Sequence, residues 1–417
     1  MSVPRSRSRL PRPTVRGSGL LIAAVVAFVL VPIVRRQEVA YLACFLLAVP
    51  VFSLLWVAFR PFALSVRRRF TPESGTVGET VEATIFVQNQ GSFRTPATVW
   101  VDRASAPLSS SEPATLPPLP GTGSALIDDA PIERIRYRID TSRRGAHEIG
   151  PFELSVTDPF GCATRKREFG GTDTLLVTPM VFELARIDLR LATGDGAEQV
   201  SRRLVGAGEQ DVIARKYLPG DSMRRVHWPA TAKHGELMVR QDDQRNDQDA
   251  VLLLDAASFQ EGPAFEWAVS AIASAALHLM NEGFGVRLVG HARPGSGLPG
   301  DEVFTAPFGA SRVVRDLALA TTAGVHDPAD FRLAVDEAAL TSPDAPPVFA
   351  VVSATAGGAD RIRPLAGMSS HPIAFVVGEP SGTAAELRQA GWTTVECSWT
   401  DHLPSLWKAI GDARGIG

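Results

Sequence analysis

The densest chemistry in the sequence lies in KYLPGDSMRRVHWPATAKHGELMVRQ, residues 216–241, which carries five basic side chains, two histidines, a tryptophan and a Pro-Gly-Asp turn. Imidazoles are common zinc ligands. His227 and His234, however, stand seven residues apart across Pro229 with no cysteine nearby, which is not a ligand spacing, so zinc is not expected. Pro219 and Gly220 suit the centre of a tight turn, and Asp221 suits the cap of a short helix, SMRRVHW, where a carboxylate meets the positive helix end. Pro229 disfavours helical geometry at Trp228, so that helix should be short or should restart. Two readings stay open for the cations. In one, Arg224 and Arg225 pair with Glu209, Asp211 or Asp221 over a buried Trp228 and fasten the following module to what precedes it. In the other, Tyr217, Pro219, Gly220, Asp221, Arg224, Arg225, Trp228 and Lys233 form a basic and aromatic surface. Guanidinium groups grip carboxylates and phosphates through paired hydrogen bonds, so such a surface would take an acidic partner or a phosphate.

The second candidate is Asp255, at the end of the apolar run VLLLD. In parallel sheets ligands gather at the carboxyl ends of strands, and a carboxylate there with two hydroxyls could hold a divalent cation through oxygen. The continuation DAASF places Ala257 and Phe259 where those hydroxyls would stand, and Ser258 is out of step with them. A later strand, VFAVV, runs into SATAGG without a carboxylate. Asp255 is therefore expected to cap a helix or serve the fold; a metal-dependent binding switch or hydrolase centred on this degenerate site is the alternative. The sequence shows no G-x-S-x-G, phosphate-loop or H-E-x-x-H motif. No catalytic set, cofactor or bound metal is expected, and the chain reads as a non-enzyme.

The elements that must position these residues follow from patterning. At 417 residues the chain has room for two or three domains, and a net charge of −3 does not suggest a nucleic-acid binder. Cys44, Cys162 and Cys397 are too scattered for a disulfide framework. After a basic N-terminus, residues 1–16, two uncharged runs at 17–34 and 39–59 approach or reach the length needed to cross a bilayer. No small-residue cleavage site separates them, so a helical hairpin is expected rather than a signal peptide. Arg5, Arg7, Arg9, Arg12 and Arg16 precede the first run and Arg60, Arg67, Arg68 and Arg69 follow the second, against Arg35 and Arg36 between them. By the positive-inside rule both termini and the large C-terminal portion are expected in the cytoplasm, with reduced cysteines.

Residues 66–181 carry short alternating runs, VEATIFV, ATVWV, IERIRYRI, FELSV and TLLVT, that predict a β-sandwich-like module. In IERIRYRI the residues Ile135, Tyr137 and Ile139 share one face and Arg134, Arg136 and Arg138 the other, as in a sheet wet on one side. The Pro/Ser-rich stretch APLSSSEPATLPPLPGTG inside this module is expected as a long mobile loop. Residues 182–249 form a junction, and from residue 250 to 417 apolar strands alternate with helical patterns, which predicts a doubly wound, mostly parallel α/β domain.

Three features in combination resemble the bacterial family called domain of unknown function 58: RRGAHEIGPFELSVTDPFG, the stretch GEQDVIARKYLPGDSMRRVHWPATAKHGELMVRQ, and VLLLDAASF. The resemblance covers most of the chain, including the paired membrane spans. It implies a C-terminal domain similar to the von Willebrand factor A fold, whose metal motif is D-x-S-x-S; Ala257 and Phe259 replace both serines here, so metal-dependent adhesion does not carry over. It also implies association with MoxR-type AAA+ ATPases in assembly or maturation of other proteins. The expectation is a multi-pass membrane protein with cytoplasmic domains that acts as an adaptor or scaffold for an AAA+ ATPase. A structural protein of the cell envelope is the remaining rival.

Overall fold

A computed structural model of the chain describes residues 10–121, 131–186, 213–216, 228–241, 249–290, 303–322, 331, 335, 346–355, 357–369 and 372–414. The chain divides into two compact units, Met1–Thr178 and Pro179–Gly417.

In the first unit a two-residue strand β1 (Arg12–Pro13) leads into helices α1 (Val15–Val34) and α2 (Gln37–Phe59), both long and apolar enough to cross a membrane. Small residues, Ala24, Ala27, Ala43 and Ser53, are buried, whereas Ile22, Val25, Phe45 and Phe52 face outward. This is the pattern of helices that approach closely in lipid, where an outward apolar side chain costs nothing. Arg35, in the left-handed region at φ 51, ends α1 by donating its N–H to Val31 O.

The strands that follow are β2 (Leu64–Thr71), β3 (Ser74–Thr76), β4 (Thr80–Asn89), β5 (Thr98–Ala104), β6 (Ala114–Leu116), β7 (Glu133–Asp140), β8 (Gly145–Thr157), β9 (Ala163–Phe169) and β10 (Asp173–Thr178). β2, β4 and β7 make a three-stranded antiparallel sheet; the others join β1 in a seven-stranded sheet built around the long β8. Alternation explains the layering. On β7 Arg134, Arg136 and Arg138 are exposed and Ile139 is buried, and Ile85 and Val87 of β4 meet Trp100, Phe152 and Leu154 of the other sheet in one core.

The Pro/Ser-rich stretch is a loop for most of its described length, as expected, but it is docked on the module. It forms β6 at the edge of β5, and Leu108, Leu116 and Leu119 are buried at 5%, 1% and 3% exposure. Ser110 and Ser111 accept the N–H groups of Ala104 and Asp102, and Pro107, Pro113, Pro117, Pro118 and Pro120 all fall outside β6, where no ladder hydrogen bond is required of them. Composition counts the prolines and serines, whereas three leucines decide burial.

A buried ion pair ties the sheets together. Arg68 of β2 donates from Nε to Asp102 Oδ2 at 2.8 Å and from Nη2 to Oδ1 at 2.6 Å, and Tyr137 of β7 donates to Asp102 Oδ2 at 2.7 Å. Burial works against the Arg68 charge, but the hydrogen bonds and charge of Asp102 and Asp173 hold its pKa above the ordinary value. The Tyr137 hydroxyl is raised by burial and then by Asp102. Removing one partner of such a pair strands the other charge, at a cost of about 3–5 kcal/mol. Arg68 is thus neutralised between the sheets rather than contributing an open positive charge beside the second apolar run.

The second unit contains a six-stranded sheet of β13 (Asp249–Leu254), β14 (Gly285–Val289), β15 (Val303–Phe304), β16 (Val348–Ser353), β17 (Ile373–Val377) and β18 (Thr393–Cys397), in the order β15-β14-β13-β16-β17-β18. All neighbours are parallel except the edge strand β15. Strands buried on both faces read as unbroken apolar runs, and both faces here are covered. Leu252 and Leu254 pack with Val269, Ile272 and Trp407 on one side; Val251 and Leu253 pack with Ile362, Leu387 and Trp392 on the other. The helix Pro263–Asn281 buries Phe265, Ala268, Val269, Ile272, Ala276 and Leu279, residues spaced three and four apart on one face, and Gly283 follows its end at φ 88. Residues 182–186 pack on this same core: Phe182 N donates to Ser274 Oγ at 3.0 Å and Trp407 Nε1 to Ala185 O at 2.9 Å.

Candidate functional site

Two places in the second unit gather the residues singled out in the sequence. The first is the switch point of the sheet, where connections leave β13 toward β14 on one side and reach β16 on the other, so the carboxyl ends of β13 and β16 diverge. Asp255 stands there, fully buried, ahead of a short 3-10 turn at Ala256–Ser258. The capping expectation fails in detail, because the carboxylate caps nothing. It faces Arg361 instead, with Nε 3.2 Å from Oδ2 but without an aligned hydrogen bond. Ser258, out of step for a metal site, has a different task. Its Oγ donates to Asp255 O at 2.7 Å and accepts Ser353 N at 3.0 Å, while Thr355 Oγ1 donates to Ser258 O at 3.1 Å. The hydroxyls thereby pin the turn after β13 to the end of β16. Phe259, one of the two departures from a metal motif, is 6% exposed and packs its ring 5.9 Å from Phe265.

Burial pushes the Asp255 carboxyl up to about 6, against the pull of the Arg361 charge and Ser258. Among the described residues no group of three or more His, Cys, Asp or Glu side chains gathers. The chemistry this buried site offers is proton exchange at one carboxylate and a charge contact to one guanidinium. Neither Arg361 nor the role of Ser258 had a local signal: Arg361 comes from the helix Gly358–Ile362, far along the chain, and only the sheet brings it to β13.

The second place is the junction. β11 (Ile213–Lys216) pairs antiparallel with β12 (Met238–Gln241), and the helix Trp228–His234 lies between them in sequence. Proline is tolerated in a first helical turn because its missing N–H would have no partner there, so Pro229 fits the start of this seven-residue helix. Gly235, at φ 71, donates its N–H to Thr231 O and ends it, and Met238 N donates to Thr231 Oγ1 at 3.0 Å. Trp228 is 64% exposed, which departs from the buried tryptophan of the internal reading, and Lys233 and Leu237 are exposed as well. Tyr217, Pro219, Gly220, Asp221, Arg224 and Arg225 lie outside the described residues, as do His227 and the proposed partners Glu209 and Asp211.

Residues 213–347 match the family model described as "Protein of unknown function DUF58". No curated protein matches the chain. Among solved structures, the CARDB domain of the PF1109 protein from Pyrococcus furiosus is 14% identical, covering 28% of this chain and 90% of its own, with a TM-score of 0.20. The C-terminal domain of wzt is 11% identical over 30% of this chain and 86% of its own, also at 0.20. A cycloisomaltooligosaccharide glucanotransferase of Paenibacillus sp. is 12% identical over 80% of this chain and 52% of its own, again at 0.20. Superpositions at that level carry no argument about fold or activity. The segment that matches the DUF58 family model, residues 213–347, holds both the exposed Trp228 and the buried Asp255.

Proposed function

We propose that the chain is a membrane-tethered adaptor whose cytoplasmic second unit docks a protein partner, a MoxR-type AAA+ ATPase, in the assembly or maturation of other proteins, and that it is not itself an enzyme. The observation that carries this reading is Trp228, 64% exposed, on the same short helix as the exposed Lys233 and inside the matched segment. Tryptophan is a costly residue to leave in water and is enriched where partners bury an anchor. The two apolar helices support the tether, and the order of the six-stranded sheet with helices on both faces supports a von Willebrand factor A-like unit. Asp255 argues against a metal-centred switch, because the charge it faces is Arg361 and its neighbouring hydroxyls bind backbone.

The test is recovery of the ATPase from detergent extract on the full-length chain and on Trp228→Ala. Loss of a buried aromatic anchor costs about 2 kcal/mol or more in a complex, whereas an exposed substitution shifts folding by about 0.5 kcal/mol or less. ATPase recovery should therefore fall steeply for Trp228→Ala with the thermal midpoint unchanged. Equal recovery from both proteins would remove Trp228 from the interface.

A further inference from the structure

The D-P-F-G turn at residues 158–161, which joins β8 to β9, has no part in the adaptor reading, yet it is built against the ends of both apolar helices within the first unit. Arg165 Nη1 donates to Ala58 O at 2.5 Å and Arg167 Nη2 to Arg60 O at 2.6 Å, so β9 occupies carbonyls at the end of α2 that have no helical partner. On the other helix Thr14 donates its N–H to Cys162 O at 2.9 Å and its hydroxyl to Gly161 O at 2.6 Å. A Cβ at Gly17 would lie 2.0 Å from Cys162 O, so glycine is what lets the turn lie on α1.

The depth of the turn follows from its neighbours. The Phe160 ring lies edge-on to Phe52, 6.5 Å between centroids. Phe52 precedes the end of α2 at Phe59 by seven residues, or about 10 Å along the axis at 1.5 Å per residue. Trp56 lies between them, and Arg60, just past Phe59, sits 4.6 Å over its ring, the pairing of aromatic and cation found where a spanning helix leaves the bilayer. Phe160 therefore stands one helical turn inside that level, and it is 56% exposed.

Backbone groups that enter lipid must find partners without water. Those of the turn largely do. Asp158, itself 4% exposed, accepts Phe160 N at 2.9 Å and Ala163 N at 2.6 Å, Gly161 N donates to Asp158 O at 3.0 Å, and Thr14 takes the carbonyls of Gly161 and Cys162. Exposed Arg12 and Arg16 stand at the same end of α1, where long basic side chains reach headgroup phosphates from an apolar stem.

We infer that residues 158–161 enter the boundary between headgroups and acyl chains, with Phe160 in contact with lipid, and so hold the β-rich module down on the bilayer. This rests on α1 and α2 crossing that bilayer. The experiment places photoreactive p-benzoylphenylalanine at position 160 of the full chain in nanodiscs of phosphatidylethanolamine and phosphatidylglycerol, and reads lipid adducts by mass spectrometry after irradiation. Position 45, on an outward residue of α2 that is 66% exposed, reports the span. Position 79 is the water-facing control: its carbonyl bonds Thr141, near the Gly145 end of β8, about 40 Å of extended strand from Thr157 at about 3.3 Å per residue. Adducts at 160 and 45 with background at 79 are expected. Adducts at 45 alone overturn the insertion of the turn and leave the span standing. Adducts at neither 45 nor 160 overturn both, and equal adducts at 79 and 160 overturn the turn as a specific anchor.

Discussion

Asp255 is ionised at neutral pH in a place that would favour its neutral form. Its carboxyl titrates at about 6 when folded against 3.8 as a free group. The folded state therefore binds this proton more tightly, and the contribution to stability falls as pH rises from about 4 to about 6, then levels. Lowering the pH from 7 to 5 should stabilise the wild type relative to Asp255→Asn, by on the order of 1 kcal/mol per pH unit within that window. Urea unfolding of both full-length proteins in detergent measures the difference; parallel pH profiles would show that the carboxylate is not raised. The position of Asp255 at a strand end was legible from VLLLD, because an apolar run that stops at a carboxylate marks the edge of a buried strand. Its surroundings were not. Sequence spacing says nothing about a guanidinium brought in by a helix beyond another strand, nor that Ser258 would bond backbone on two strands.

Elements were legible wherever burial imposes a period. The alternation of β7, the apolar runs of β13, β16 and β17, and the buried face of Pro263–Asn281 all follow from residues that must leave water together. The Pro/Ser-rich stretch misled because its composition is that of a loop, whereas three leucines, only one of them in the short edge strand, suffice to dock it. Close approaches were invisible for a similar reason, since a glycine inside an apolar helix reads as filler. Gly17 is not filler. Gly17→Val would drive a side chain into the Cys162 carbonyl, so α1 and the 158–161 turn should separate. Cys162, now 2% exposed, should then react with maleimide in a Cys44→Ala background far faster than in the Gly17 parent, while Cys397 stays protected. Unchanged labelling would mean that the turn does not rest on α1.

At the scale of the molecule, the two apolar helices and the β-rich module form one compact unit, and residues 182–186 belong with the α/β core rather than with a separate junction. Arg68 no longer counts as an open flanking charge, but Arg12, Arg16, Arg60, Arg67 and Arg69 still outnumber Arg35 and Arg36. Protease added to spheroplasts should therefore leave both units intact and cut them only after lysis; cleavage in intact spheroplasts would reverse the topology. Patterning along the chain was enough for the two apolar helices, the switch from alternating strands to buried parallel ones, and the residues at the strand end and junction. These are one-dimensional consequences of what each segment can bury. The partners were set only in three dimensions: Arg68 with Asp102, Asp255 with Arg361, and the D-P-F-G turn with α1 and α2. Each depends on segments distant in sequence meeting at a sheet edge, a helix end or a sheet-to-sheet interface, and a hydrophobic period contains no term for that.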